Sequence, residues 1–201
     1  MVILTIMPEL NDSNPEESPV MPLAPKRIII TGAPGTGKTT LINALRAQGL
    51  ACIAEPAREI IAEQRAIDGD GVWERDTRLF LELLLSRSIG QFKAAETTTE
   101  ASSGPIFYDR GIPDCLAYAA TAGMELPHFE RAAHEYRYEA EVWLLPPWEE
   151  IYTQDSERRM SFAATYYFHE SLVAGYEHVG YKVREVPRGT VAERAISVIG
   201  D

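Results

Sequence analysis

The segment Gly32–Thr39 carries the most distinctive chemistry in the sequence, because its residues, GAPGTGKT, fit the pattern G-x-x-x-x-G-K-[ST]. Glycines in such a loop let successive backbone N–H groups point inward and form a nest for an anion. The lysine neutralises the β and γ phosphates of a nucleotide, and the hydroxyl that follows it binds Mg²⁺. The pattern predicts a site for ATP and Mg²⁺, built from Gly32, Pro34, Gly35, Thr36, Gly37, Lys38, Thr39 and Thr40.

An acidic and a basic residue, Asp109 and Arg110, follow the apolar run PIFY. A phosphate loop needs an acid at the end of a neighbouring strand, and Asp109 is placed to hold Mg²⁺ together with Thr39. A nucleotide-hydrolysing motor would be expected to carry a second acid next, where this sequence has Arg110. A guanidinium there favours phosphoryl transfer, because it can clamp the transferring group or the acceptor. The alternative is a surface ion pair at the end of a strand.

A second carboxylate, Glu55, begins the segment EPAR, in which Pro56 fixes the turn into a helix. Glu55 could accept the proton of a substrate hydroxyl. Arg58, slightly further along the chain, could hold a substrate phosphate or carboxylate. We therefore predict that Glu55, Arg58 and Arg110 bind the substrate. The alternative is an acid at a helix start that only complements the helix dipole.

Adjacent arginines, Arg158 and Arg159, lie in the polar segment WEEIYTQDSERRMS between Pro147 and Phe162. In a phosphoryl-transfer enzyme such a segment could close over the phosphates, exclude water and bring guanidinium groups to the developing charge. The alternative is that both arginines are solvated and paired with nearby acids. Arg188, in a later Pro-Arg-Gly-Thr segment, suits contact with a purine ring, on which it could stack.

Short apolar runs alternate with longer helical patterns, and this alternation predicts a parallel sheet with helices on both faces. Ligands of such sheets bind outside the carboxyl ends of the strands, where the candidate residues lie. Strands are expected at 27–31, 51–54, 106–108, 142–145 and 182–186, and helices at 39–47, 56–67, 76–95, 114–122, 128–136, 161–179 and 191–199.

Length and charge narrow the function classes. The chain has 201 residues and a formal net charge of −11, so a general nucleic-acid or anionic-membrane partner is not expected. Two distant cysteines and the lack of a long apolar run favour a cytoplasmic protein, and we expect a monomer or homodimer with a small-molecule acceptor.

The first 25 residues differ from the rest, since they are acidic and rich in proline. We expect a disordered acidic leader at 1–25 and one domain at 26–201. An alternative for the leader is that the apolar stretch Val2–Met7 adds an edge strand or docks on a partner.

The segments TGAPGTGKTT, EPAREI, YDRGIPD and LLPPWEEIYTQDSERRMSF resemble the single-domain P-loop ATPases and kinases grouped with the nicotinamide-riboside-kinase domain of bacterial NAD regulators. These proteins are often labelled AAA-family ATPases. The pattern is also similar to deoxynucleoside kinases, which implies that Glu55 is the general base and that Arg110 orients phosphate and acceptor. The resemblance spans residues 26–201 and implies a three-layer P-loop NTPase sandwich with a five-stranded parallel sheet of order 2-3-1-4-5.

Together these observations predict ATP-dependent, Mg²⁺-assisted phosphoryl transfer to a nucleoside, nucleotide or nicotinamide-riboside-like acceptor, with ATPase activity as a side or main activity. The catalytic residues would be Lys38, Glu55, Asp109, Arg110, Arg158 and Arg159. A nucleotide-dependent switch with slow ATP or GTP hydrolysis is the alternative from another class, and an assembled ATPase is a third.

Overall fold

The computed structural model describes residues 25–97, 104–152 and 160–200. All but the last residue of the expected leader at 1–25 lies outside these ranges, so the leader remains a prediction. The strands are β1 (Arg27–Gly32), β2 (Ala51–Ile53), β3 (Ile106–Asp109), β4 (Glu141–Leu145) and β5 (Lys182–Glu185). The helices are α1 (Lys38–Ala47), α2 (Ala57–Ala66), α3 (Thr77–Thr97), α4 (Asp114–Thr121), α5 (Pro127–Glu135), α6 (Phe162–His178) and α7 (Val191–Ile199).

The five strands form one parallel sheet in the order β2-β3-β1-β4-β5. The predicted fold class and strand order are therefore confirmed. β1 is central and pairs with β3 and β4, so the loop that follows it lies between the carboxyl ends of both neighbours. Ile30 of β1 pairs with Asp109 of β3, which places that carboxylate beside the start of the loop.

Each strand places alternate side chains on opposite faces of the sheet, and two separate apolar clusters result. On one face Ile29, Tyr108 and Leu144 belong to a cluster that includes residues of α3, α4 and α6. On the other face Ile30 and Phe107 belong to a cluster with residues of α1 and α7. Both faces are covered by helices, as the alternation of strands and helices predicted.

The predicted and observed element boundaries agree to within one or two residues. A short 3₁₀ helix at Glu149–Ile151 was not expected, because three residues carry no periodic signal. In the described part of the chain, no helix combines the length and apolar character needed to cross a membrane.

Candidate active site

The phosphate loop connects β1 to α1, as the motif requires. Gly35 and Gly37 adopt φ angles of +83° and +85°, a region that disfavours residues with a Cβ atom. A Cβ on Gly35 would lie 2.7 Å from the ring of Tyr152, and one on Gly37 would lie 2.8 Å from Nη1 of Arg194. The loop therefore needs glycine at both positions for its backbone shape and for its close neighbours.

Lys38 is buried, with 7% of its surface exposed, and its ammonium group lies across the loop. Nζ donates to the carbonyl oxygen of Gly32 at 2.7 Å and to that of Ala33 at 3.2 Å. Burial and the nearby positive charge of Arg110 lower the pKa of Lys38 to about 8, against the opposing effect of nearby carboxylates. A phosphate bound in the loop would give this ammonium group a direct ionic partner.

Asp109 ends β3 and is nearly buried. Burial raises the pKa of its carboxyl, with Lys38 opposing and Glu55 adding to the rise. Its Oδ1 has no hydrogen-bond partner among the described residues. An orphaned buried carboxylate oxygen fits an Mg²⁺ ion or a water bound to it, and Thr39 is exposed at the cavity that the phosphate loop and Arg110 line. The residue types of Thr39 and Asp109 fit Mg²⁺, and the metal site itself remains a prediction.

Glu55 and Arg110, which are 55 residues apart, form a partly buried ion pair, with Arg110 Nε 2.7 Å from Glu55 Oε1. Burial alone would raise the pKa of Glu55, but the charges of Arg110 and Lys38 hold it below its ordinary value. Arg110 has a φ of +71°, an uncommon conformation for a residue with a side chain. Backbone strain of this kind persists only where surrounding contacts fix the residue, and it concentrates at functional sites.

Asp114 supplies the second fixed contact of Arg110 and is almost fully buried. Its Oδ1 accepts hydrogen bonds from Thr31 Oγ1 at 2.5 Å and from Arg110 Nη1 at 3.0 Å. Its Oδ2 accepts from the backbone N–H of Gly111 at 2.8 Å and from the Tyr176 hydroxyl. One carboxylate thus connects β1, the strained turn after β3, and α6.

A cavity of about 730 Å³ lies beside the phosphate loop and the Glu55–Arg110 pair. It is lined by the phosphate loop, by Glu55 and Arg110, and by residues of α2, α3 and α7. Arg58, exposed near the start of α2, lines the same cavity. The structure therefore brings most of the predicted nucleotide residues and all three predicted substrate residues to one cavity.

Three predicted residues are placed elsewhere or lie outside the described ranges. Arg188 lines a second cavity of about 710 Å³ near the ends of β4 and β5, and its Nη2 donates to the carbonyl oxygen of Pro147 at 3.0 Å. Its contact with a purine remains a prediction. Arg158 and Arg159 lie outside the described residues, and so does the greater part of the segment expected to close over the phosphates.

Sequence reasoning assigned no role to Asp114 and Arg194. Asp114 lies in the YDRGIPD segment, but its position there does not show that its carboxylate contacts Thr31 and Tyr176 as well as Arg110. Arg194 belongs to α7 and contacts Thr36 of the phosphate loop, which lies 158 residues earlier in the chain. The sequence holds no local signal for that contact.

A phosphate loop after the central strand of a 2-3-1-4-5 parallel sheet defines a P-loop NTPase. The family model described as an AAA domain matches residues 27–194. Because this match covers most of the chain, the protein belongs to that AAA domain family, which confirms the resemblance drawn from its motifs.

Solved structures of known proteins share the fold. NadR protein in complex with NR is 21% identical, with a TM-score of 0.64 and 89% of this chain and 52% of NadR covered. NadR in complex with NAD and AMP-PNP is 20% identical, with a TM-score of 0.65, and the match covers 89% of this chain and 50% of NadR. Thymidylate kinase from Ehrlichia chaffeensis is 16% identical, with a TM-score of 0.56, and the match covers 88% of this chain and 98% of the kinase. The chain spans about half the length of NadR, and no curated protein matches it.

Proposed function

We propose that this protein transfers the γ-phosphoryl group of ATP to a hydroxyl or phosphate of a small molecule. The observation that carries the proposal is the single cavity in which the phosphate loop adjoins the Glu55–Arg110 pair. Two proteins of similar fold support it, since one NadR structure holds NR, another holds AMP-PNP, and thymidylate kinase is named for its activity.

On the nucleotide side, Lys38 and the backbone N–H groups of the loop would hold the β and γ phosphates. Thr39 and Asp109 would hold Mg²⁺, which neutralises charge on the phosphate oxygens when bound. Lys38 Nζ is held by two loop carbonyls, so its charge is positioned within the loop.

On the acceptor side, Glu55 would accept the proton as the acceptor oxygen forms its bond to the γ phosphorus. The bond from that phosphorus to the β–γ bridging oxygen breaks, and ADP leaves. The lowered pKa of Glu55 keeps it ionised near neutral pH and able to accept a hydrogen bond from the acceptor. Arg110, fixed by Glu55 and Asp114, would stabilise the transferring group.

The cavity wall favours an acceptor with a planar ring. Trp73, Phe80 and Tyr118 all line it, and the Trp73 ring centroid lies 6.1 Å from each of the other two. Such rings offer faces and edges to an aromatic group. Two arginines of α2, Arg58 and Arg65, also line the cavity and suit a phosphate or carboxylate. A nucleoside or a nicotinamide-riboside-like molecule supplies the planar ring, and a nucleotide supplies a phosphate as well.

The acceptor assay uses ATP labelled in the γ phosphate, with Mg²⁺ and a panel of nucleosides, nucleoside monophosphates and nicotinamide riboside. We expect the label on one acceptor, well above the label released as phosphate. Glu55→Gln should lower kcat by roughly a hundredfold or more, since it removes the base. Lys38→Ala should remove most of the rate.

A matched control is Glu63→Gln, which changes an exposed carboxylate on the same helix that follows Glu55. It should leave kcat unchanged. Slow release of phosphate to water, indifferent to every acceptor, would contradict the kinase proposal and favour a nucleotide-dependent switch.

A further inference from the structure

Arg194, the fourth residue of α7, is a buried cation with few partners. Only 6% of its surface is exposed, and no carboxylate among the described residues forms a salt bridge with it. Its Nη1 donates to the carbonyl oxygen of Thr36 at 3.4 Å, and its Nε has no hydrogen-bond partner in the described part of the chain. A guanidinium has five N–H donors, and burying them unpaired disfavours the folded state.

The Arg194 side chain lies beside the phosphate loop. Its guanidinium lies against Gly37, and its side chain lines the same cavity as Lys38 and Thr39. The Trp148 ring lies 5.8 Å from Cζ, at a distance suited to a cation–π contact. These contacts fix the group beside the loop, while its Nε has no hydrogen-bond acceptor among the described residues.

We propose that Arg194 binds the phosphate chain of the nucleotide in the loop, as a second fixed cation beside Lys38. The inference rests on the proposed function, because it requires that the loop binds a nucleotide. Phosphate oxygens are the acceptors that a planar guanidinium fork binds best. Stacking on the nucleotide base would leave Nε without an acceptor, so the unpaired donor favours phosphate.

The test measures Kd for ADP and for inorganic tripolyphosphate by calorimetry, with wild type, Arg194→Met and Arg194→Lys. We expect Arg194→Met to weaken both ligands by roughly 10- to 100-fold, as the loss of a charge-assisted hydrogen bond implies. Arg194→Lys keeps a cation and should lose less. Arg46→Met removes an exposed arginine of α1 that does not line the cavity, and it should change neither Kd appreciably.

Melting of the ligand-free protein separates binding from a structural role. No carboxylate among the described residues pairs with Arg194. Replacing this buried cation with methionine should therefore leave the Tm unchanged or raise it. A lower Tm with both Kd values unchanged would identify a structural cation and overturn the inference. Weaker ADP binding with unchanged tripolyphosphate binding would assign Arg194 to the base, and would also overturn it. Failure of wild type to bind either ligand would instead contradict the proposed function.

Discussion

Lys38 shows how the loop changes the chemistry of a residue. In water its ammonium group would have a pKa of 10.5, but burial and Arg110 lower that value to about 8. Between these values the unfolded chain holds more protons than the ligand-free fold, so the ligand-free fold gains stability as pH rises. Nucleotide binding has the opposite dependence, because the phosphates favour the charged form.

We therefore predict that ADP affinity is nearly constant from about pH 7 to about pH 8, where the terminal phosphate of ADP is ionised, and falls by up to about tenfold per pH unit above about pH 8. Calorimetry in buffers of different ionisation enthalpy should detect proton uptake on binding in that range. Lys38→Arg is the control, because a guanidinium does not lose its proton there. A wild-type affinity that stays constant through about pH 9.5 would contradict the assignment of this pKa to the binding cation.

Asp114 and Glu55 together hold the Arg110 guanidinium in place. We predict that Asp114→Asn lowers the free energy of unfolding by about 3 kcal/mol, because it breaks a buried ion pair and several hydrogen bonds. It should also lower kcat more than it raises KM for ATP, since the guanidinium loses its fixed orientation. Urea unfolding and steady-state kinetics test both. Asp70→Asn, at an exposed carboxylate, should change neither quantity.

Among the elements, α7 has a function beyond covering the sheet. Its first turn is held by a capping box, in which Thr190 Oγ1 accepts from the N–H of Glu193 and Glu193 Oε2 accepts from the N–H of Thr190. The next residue is Arg194, so the cap fixes the turn that presents this arginine to the phosphate loop.

We predict that Thr190→Ala lowers the free energy of unfolding by about 1 kcal/mol and weakens ADP binding, because the cap and the turn are lost together. Thr190→Ser keeps a hydroxyl acceptor and should restore most of both quantities. Urea unfolding and calorimetry measure the two effects. Wild-type stability and affinity in Thr190→Ala would show that α7 is fixed by its apolar face alone.

At the scale of the complete domain, the strand order assembles the site. β1 lies between β3 and β4, so the phosphate loop meets Asp109 and Arg110 from one side. Helix α7 covers the sheet on the same face as α1 and brings Arg194 to that loop. The cavity therefore joins segments from nearly the full length of the described chain.

The expected leader gives a prediction at this scale. Deleting residues 1–24 should leave Tm and phosphoryl transfer unchanged, because an acidic, proline-rich segment buries little apolar surface. Thermal melting and the acceptor assay test this. β2 and β5 are the edges of the sheet, so a strand from Val2–Met7 would pair there. A clear fall in Tm on deletion would favour that alternative.

The helices, the strands and the phosphate loop could be predicted because each is specified by residues that lie close together in the sequence. Periodic apolar residues specify helices and strands, and the glycines and Lys38 of the loop specify a nest for phosphate over a few adjacent residues. That Glu55 and Arg110 lie together near the loop could be predicted as well, since each follows a strand and parallel strands end at one edge.

The remaining parts of the site depend on packing between distant segments. Arg194 meets Thr36 across 158 residues, and Asp114 meets Thr31 across 83 and Tyr176 across 62. No short stretch of sequence indicates these contacts, because they depend on which strands are neighbours and which helices cover the same face of the sheet. The residue types therefore specified a phosphate loop and its acids, while the packing of α4, α6 and α7 on the sheet fixed the position of Arg110 and added Arg194.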